Sequence, residues 1–218
     1  MIRLLIADDH KLFRIGLHKM LREAPEMKIV GEARTGEEAV SLARELTPNV
    51  ILMDICMPGI GGLEATRRIT QRDSGMRVIM LTGFEDNPYP VQALKAGAVG
   101  YLTKKVSSDE LIKAIKRVFL GKRYLCSEVA QQLAVTSFEE ERSDPFGQLS
   151  GREMQIMLMV VNCQKVKEIS SNLHLSPKTV NSYRYRIFEK LNVGSDVELA
   201  LMAVRYGVVN GGIQLRQA

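Results

Sequence analysis

The sequence has few cysteines and no long apolar run. Its three cysteines, Cys56, Cys126 and Cys163, are spread over 218 residues, and their odd number and wide spacing argue against a disulfide framework. No stretch approaches the roughly 18 apolar residues that are needed to cross a bilayer. Asp8 and Asp9 interrupt the first apolar run, which argues against a signal-peptide core there. We therefore expect a cytoplasmic protein with no membrane association, and 45% apolar residues are enough for a sizeable core.

A basic excess is also missing from the half of the chain where it would be most informative. The net charge is +5, but residues 1–125 carry 20 basic and 15 acidic side chains, whereas residues 126–218 carry 10 of each. The overall charge therefore does not indicate nucleic-acid binding by the second half. Any such function has to follow from local patterning.

Strand-like apolar runs alternate with helical patterns in the first part of the chain. The predicted strands are residues 3–7, 28–33, 50–53, 77–81 and 99–102, and the predicted helices between and after them are 11–22, 37–46, 63–71, 90–96 and 109–120. Short runs that are apolar throughout are typical of strands buried on both faces. We therefore predict an α/β domain with a doubly wound, five-stranded parallel sheet over residues 1–122.

The composition changes after this domain. Residues 123–146 are predicted to be a linker with a short helix, because residues 136–148 are polar and acidic and contain Pro145 and Gly147. The remaining patterns are all helical, at 151–161, 166–173, 178–191 and 197–205. Residues 147–212 are therefore predicted to form an all-α helix-turn-helix domain.

Acidic residues end two of the predicted strands. Asp8 and Asp9 follow the first strand, and Asp54 ends the third. In an open parallel sheet the carboxyl ends of the strands form the ligand site, so these carboxylates should converge. Clustered carboxylates need a cation, and Mg²⁺ prefers oxygen ligands. The pattern predicts a magnesium-assisted phosphoryl site with Asp54 as the nucleophile.

Two further residues fit the same site. Thr82 ends the fourth strand and offers a hydroxyl, while Lys104 follows the fifth and offers a positive charge for phosphoryl oxygens. Each residue alone has an ordinary explanation, since paired aspartates often cap helices and lysines are usually solvated. Their joint placement on strands one, three, four and five favours the phosphoryl site.

The second half contains a pattern for DNA recognition. Ser150 and Glu153 predict a capping box, and Ser176 with Pro177 predicts the start of the next helix. Residues 165–190 carry six basic and two acidic side chains. On the helix after Pro177, the residues predicted to read bases are Asn181, Ser182, Tyr185 and Arg184 or Arg186, and those predicted to contact phosphates are Lys178, Thr179, Arg184 and Lys190. The alternative is an ordinary amphipathic surface helix.

The motifs of the first half resemble a known family. ADDH, MDICMPGIGG, LTG and GYLTK are similar to the receiver domain of two-component response regulators. The resemblance implies that Asp54 accepts the phosphoryl group, and that the Cys56 backbone carbonyl joins Asp8, Asp9 and Asp54 around Mg²⁺. It also implies that Thr82 and Lys104 contact the phosphoryl group, and that Tyr101 is the switch aromatic whose rotamer reports phosphorylation. Core packing is the alternative explanation of Tyr101. One departure is Lys105, where many receivers have a cis proline.

The second half resembles LuxR-type DNA-binding domains through LSGRE, KEIS, LSPKTV and KLNV. Together the halves resemble the NarL/FixJ class, and SPKTVNSYRYRIFEKL is similar to the GacA/UvrY branch. The resemblance implies a GacS/BarA-like hybrid sensor histidine kinase or its phosphotransfer domain as phosphodonor. It also implies a homodimer when phosphorylated, inverted-repeat double-stranded promoter DNA as ligand, and small regulatory RNA genes as targets.

Two other functions stay open at this point. One is a magnesium-dependent phosphohydrolase with Asp54 as nucleophile, although the sequence offers no second general acid near Asp54. The other is a receiver that acts by protein contact alone, with a vestigial helix-turn-helix. We expect a regulator with only self-phosphorylation and slow autodephosphorylation, not an enzyme that turns over external substrates. Cys56 and Phe84, which orient water poorly, favour a long-lived phosphorylated state.

Overall fold

The chain folds into an α/β domain followed by a helical domain. In the computed structural model, the described residues are 1–72, 75–83, 89–127, 129–131, 145–206 and 208. Most of the predicted linker, together with Phe84 and residues 209–212 of the predicted second domain, lies outside them. Among the described residues, no helix is long and apolar enough to cross a membrane.

The sheet of the first domain is parallel throughout. Its strands are β1 (Ile2–Ala7), β2 (Met27–Ala33), β3 (Val50–Asp54), β4 (Arg77–Thr82), β5 (Gly100–Thr103) and β6 (Tyr124–Leu125), in the spatial order β2-β1-β3-β4-β5-β6. All residues of the central strand β3 are buried. The strand order reverses between β1 and β3, whose carboxyl ends therefore flank the crevice in which open α/β sheets bind ligands.

Helices cover both faces of this sheet. They are α1 (Lys11–Leu21), α2 (Gly36–Leu46), α3 (Gly61–Arg72), α4 (Tyr89–Lys95) and α5 (Ser108–Phe119). Helix α1 contacts α5, while α3 contacts both α2 and α4, so the sheet lies between two helical layers. The side chains of Thr35 and Ser107 accept hydrogen bonds from the first turns of α2 and α5, which explains where these helices begin.

The predicted fold class is confirmed, with one difference. The predicted strands and helices agree with the observed elements to within one or two residues, but the sheet has a sixth strand. Strand β6 is only two residues long and pairs in parallel with Gly100 and Tyr101 of β5. Two residues are too few to establish the alternation or apolar run that identifies a strand in a sequence.

Within its described residues, the second domain has four helices after a 3₁₀ turn at Pro145–Gln148. They are α6 (Gly151–Val161), α7 (Val166–Leu173), α8 (Pro177–Leu191) and α9 (Asp196–Arg205). Ser150 and Glu153 form the predicted capping box of α6. Ser176 caps α8, and Pro177 occupies its first turn, where a missing N–H costs no helical hydrogen bond. Helices α7 and α8 form the helix-turn-helix. Val180, Ile187 and Leu191 of α8 are buried in the core of this domain.

Candidate functional site

Four side chains that can hold a metal ion meet at the carboxyl ends of β1 and β3. These strands are neighbours, with Ala7 paired to Met53, so the residues that follow them meet at the same edge. Ligand atoms of Asp8, Asp9, His10 and Asp54 all lie within 4.8 Å of one another. Asp8 is fully buried and Asp54 is 2% exposed. The predicted convergence of the three aspartates is therefore observed.

Lys104 lies against the acidic residues from the carboxyl end of β5. Its Nζ is 2.7 Å from Asp8 Oδ2 and 3.2 Å from Asp54 Oδ2. Three ionised carboxylates and one ammonium group leave this site with a net charge of −2. Such a charge in a mostly buried, oxygen-rich pocket fits a hard divalent cation. Asp8, Asp9 and Asp54 are the residues that would hold it.

Burial shifts the ionisation of the central carboxyl group. Desolvation raises the pKa of Asp54 from 3.8 to about 6; Lys104 opposes this rise, and the neighbouring Asp8 carboxylate adds to it. Burial alone would lower the pKa of Lys104, but the Asp54 and Asp8 carboxylates outweigh that effect and raise it. Lys104 therefore stays protonated, and ionised Asp54 is held in surroundings that disfavour its charge.

The effect of pH on unfolding tests whether burial disfavours the charge on Asp54. Because the pKa of Asp54 is raised on folding, its contribution to stability is complete below about pH 4 and is lost as the pH rises through about 6. The loss amounts to about 3 kcal/mol. We expect Asp54→Asn to unfold at higher urea concentration than the wild type at pH 7.5 without Mg²⁺, with the two proteins converging near pH 4. A variant that is less stable at pH 7.5 would contradict the shift.

The structure also shows where the other residues predicted for this site lie. Thr82 ends β4 and is 1% exposed, and its carbonyl accepts a hydrogen bond from the Lys104 N–H at 2.6 Å. Tyr101 is fully buried on β5. Cys56 is half-buried in the loop after Asp54. The Lys104–Lys105 peptide bond is not cis. The roles of these residues stay predictions, as does the effect of Phe84, which lies outside the described residues.

Sequence reasoning missed His10. Its N–H donates to Asp8 Oδ1 at 2.7 Å, and its ring Nδ1 lies 2.9 Å from Asp9 Oδ1. The histidine therefore closes the turn that carries both carboxylates. Its position directly after the acidic pair, in ADDH, was the available signal.

Helix α8 presents a polar face to solvent. Tyr185 is 72% exposed, and Lys178, Ser182 and Arg186 are exposed as well. Asn181 is half-buried and accepts a hydrogen bond from Arg184. Thr179 uses its backbone N–H and hydroxyl in the Ser176 cap. Of the predicted base-reading residues, Ser182, Tyr185 and Arg186 therefore face solvent, whereas Asn181 is partly covered.

Two of the predicted phosphate ligands are engaged inside the domain. Arg184 forms an ion pair with Asp196 of α9, and Lys190 Nζ lies 2.7 Å from the buried carboxylate of Glu153. These pairings neutralise the charges that were expected to contact phosphate. Within the described part of the chain, Lys178 and Arg186 have no ion pair. They are therefore the better candidates for phosphate contacts.

The helical domain contacts the loop that follows Asp54. The guanidinium of Arg152, which is 6% exposed, donates to the carbonyl of Met57 at 3.4 Å and to that of Leu173 at 3.1 Å. A Cβ added to Gly151 would lie 3.2 Å from Leu63 Cβ, so α6 and α3 approach closely. Arg152 thus links Leu173, at the end of α7, to Met57, which lies three residues after Asp54.

Comparison with known families matches a different family to each of the two domains. Residues 4–116 match the family model described as response regulator receiver domain. Residues 147–203 match the one described as bacterial regulatory proteins, luxR family. The two matches together span most of the chain.

The chain is also similar to named response regulators along nearly its whole length. Response regulator GacA of Pseudomonas aeruginosa is 52% identical over 211 residues, covering 96% of this chain and 99% of the relative. Response regulator UvrY of Escherichia coli K12 is 50% identical over 211 residues, covering 96% and 97%. A solved complex of the response regulator RcsB with DNA is 25% identical, with a TM-score of 0.57 and coverage of 92% and 96%.

Proposed function

Because the chain belongs to the two-component response regulators that join a receiver domain to a LuxR-family domain, we propose that phosphorylation of Asp54 controls its binding to promoter DNA. The observation that carries the proposal is the meeting of Asp8, Asp9, Asp54 and Lys104 at one edge of the sheet. A sensor histidine kinase, of the GacS/BarA-like hybrid type, or its phosphotransfer domain supplies the phosphoryl group.

Asp54 acts as the nucleophile in this transfer. A carboxylate oxygen of Asp54 bonds to phosphorus as the bond between phosphorus and the donor's histidine nitrogen breaks, and the electron pair of that bond leaves with the nitrogen. Burial disfavours the negative charge on Asp54, and conversion to an acyl phosphate moves that charge onto the phosphoryl oxygens. Lys104 and the hydroxyl of Thr82 lie at neighbouring strand ends, where they can hold those oxygens.

Mg²⁺ fits the same place. Asp8, Asp9, Asp54 and the Cys56 carbonyl would hold it, because oxygen ligands and a site charge of −2 suit a hard divalent ion. When bound, it neutralises charge on the incoming phosphoryl oxygens. Lys104 alone leaves the carboxylates undercompensated. We therefore expect phosphorylation to depend on the divalent ion.

The helical domain supplies the output. The exposed face of α8, with Ser182, Tyr185 and Arg186, has the dimensions and chemistry to enter a major groove. In the phosphorylated state the protein forms a homodimer on inverted-repeat sites, and small regulatory RNA genes are its targets. The contact of Arg152 with Met57 gives a direct route from the loop after Asp54 to the DNA-binding domain.

A phosphohydrolase is the alternative from another class. It would need a group near Asp54 that protonates the leaving group of an external substrate. Lys104 and His10 are the candidates at this site, but the raised pKa of Lys104 makes it a poor proton donor, and the His10 ring lies against Asp9. We propose that the chain does not turn over external substrates and performs only self-phosphorylation and slow autodephosphorylation. Release of phosphate from aryl phosphate esters over many turnovers would contradict this.

A salt titration tests the DNA-binding face. We expect Lys178→Ala to weaken binding on specific and non-specific duplexes alike and to reduce the slope of log K against log salt by about 0.9, because one phosphate contact is lost. The measurement is fluorescence anisotropy on a promoter duplex enriched in genome-wide mapping of the native protein. Lys19→Ala on α1 removes the same charge from the other domain. An equal change in slope for both variants would contradict the proposed face.

A further inference from the structure

A buried arginine lies directly behind the acidic residues. Arg14 of α1 is 4% exposed. Its Nη1 donates to the backbone carbonyl of Asp8 at 2.8 Å, and its Nε donates to Glu32 Oε2 at 2.7 Å. His18 Nε2 lies 2.8 Å from the other oxygen of Glu32. The helix and the edge strand β2 are therefore tied to the turn that carries Asp8 and Asp9.

The guanidinium of Arg14 is well suited to hold the Asp8–Asp9 turn rigidly. A guanidinium donates along fixed directions, so two simultaneous hydrogen bonds define both the distance and the orientation of what they hold. The hydrogen bonds from Arg14 and His18 lower the pKa of Glu32, so its carboxylate stays ionised opposite the guanidinium. Burying an unpaired arginine would be costly, and this pairing removes that cost.

The backbone N–H, the backbone carbonyl and both carboxylate oxygens of Asp8 each lie next to a polar partner. Its N–H donates to Ala33 of β2 at 3.0 Å, and its carbonyl accepts from Arg14. Its Oδ1 accepts from the His10 N–H, and its Oδ2 points toward Lys104. Removing Arg14 would free the carbonyl end of this residue and, with it, the peptide plane that joins Asp8 to Asp9.

We propose that Arg14 is a positioning residue that, through Glu32 and the Asp8 carbonyl, holds the Asp8–Asp9 turn in the geometry that binds a divalent cation. The proposal rests on the function proposed above only in the identity of the cation. Partners behind a metal ligand typically change metal affinity 10- to 100-fold when they are removed. The same range applies here, since small displacements of ligands weaken a site strongly.

The test measures Mg²⁺ binding by calorimetry on the full-length protein, with acetyl phosphate labelling as a second readout. We expect Arg14→Met to weaken Mg²⁺ binding at least about tenfold. The maximal labelling rate at saturating Mg²⁺ should fall much less, because the ion restores the turn. Arg14→Lys, which can reach one partner but not both in the same geometry, should be intermediate. If Arg14→Met does not fold, Arg14→Lys and Glu32→Gln carry the same comparison.

Two controls separate positioning from general stability. Leu17→Ala creates a cavity at a fully buried position of the same helix while keeping Arg14 and Glu32, and it should lower the melting temperature while leaving Mg²⁺ affinity within about twofold. His18→Ala removes only the half-exposed end of the network and should also leave the affinity near that of the wild type. Equal losses of affinity in Leu17→Ala and Arg14→Met would overturn the proposal, as would failure of the wild type to bind Mg²⁺. Weakened Mg²⁺ binding in a protein that acetyl phosphate does not label would refute the phosphorylation proposal while supporting the role of Arg14.

Discussion

We expect Asp54→Asn to abolish both phosphoryl incorporation from acetyl phosphate and the increase in DNA affinity that follows it. The amide has the same shape as the carboxylate, so the variant folds around it, but its oxygen cannot form an acyl phosphate. Allosteric couplings are typically about 5- to 150-fold. The wild type should show a stimulation in that range, and the variant should bind like the unphosphorylated protein at every concentration of acetyl phosphate.

The measurement is anisotropy on the promoter duplex with and without acetyl phosphate and Mg²⁺, beside Phos-tag electrophoresis of the same samples. Asp109→Asn is a matched control, because it makes the same chemical change on the exposed first turn of α5. It should be labelled and stimulated normally. Stimulation that persists in Asp54→Asn would exclude Asp54 as the input, and normal labelling of the wild type without stimulation would exclude DNA binding as the output.

Gly62→Ala should have the second largest effect, and it acts through the backbone. A Cβ at Gly62 would lie 1.8 Å from the carbonyl oxygen of Asp54 and 3.0 Å from Ile55 Cα. Both are backbone atoms, so neither can move aside by a rotamer change. The start of α3 must shift away from Asp54 and the loop that follows it. We expect a loss of about 1–3 kcal/mol or more in the free energy of unfolding, with labelling by acetyl phosphate falling in the fraction that remains folded.

Gly16→Ala is the matched control. It lies within α1, and a Cβ added there would meet nothing within 4 Å. Because alanine favours the helix over glycine, this variant should be more stable than the wild type by about 0.5–1 kcal/mol. Urea denaturation followed by circular dichroism compares the two. If neither substitution changed the free energy of unfolding, the close approach of Gly62 to the Asp54 carbonyl would be contradicted.

Much of the fold follows from local patterns. Apolar runs of strand length and helical periods predict ten of the first domain's elements to within one or two residues, because each pattern repeats within the element itself. Capping residues such as Ser150 and Ser176 identify helix starts for the same reason. The convergence of Asp8, Asp54 and Lys104 was also predictable, because parallel strands carry their carboxyl ends to one edge.

Other features depend on side chains from distant parts of the chain. The pairings of Arg184 with Asp196 and of Lys190 with Glu153 are examples, since sequence reasoning assigned both cations to DNA phosphates. A basic residue on a recognition helix looks the same whether it faces solvent or a neighbouring helix. Only the angle at which the helices pack decides between these two environments.

The sequence by itself determined the two-domain organisation, the parallel sheet and the meeting of the acidic residues at one edge of that sheet. Each of these depends on the periodicity of apolar residues or on the order in which strands and helices follow one another, and both can be read from the sequence. The tertiary structure alone decided that Arg14 holds the turn of Asp8 through Glu32, and that Arg152 reaches the loop after Asp54. These contacts join residues from different helices and strands, and their geometry is determined by packing that no local pattern encodes.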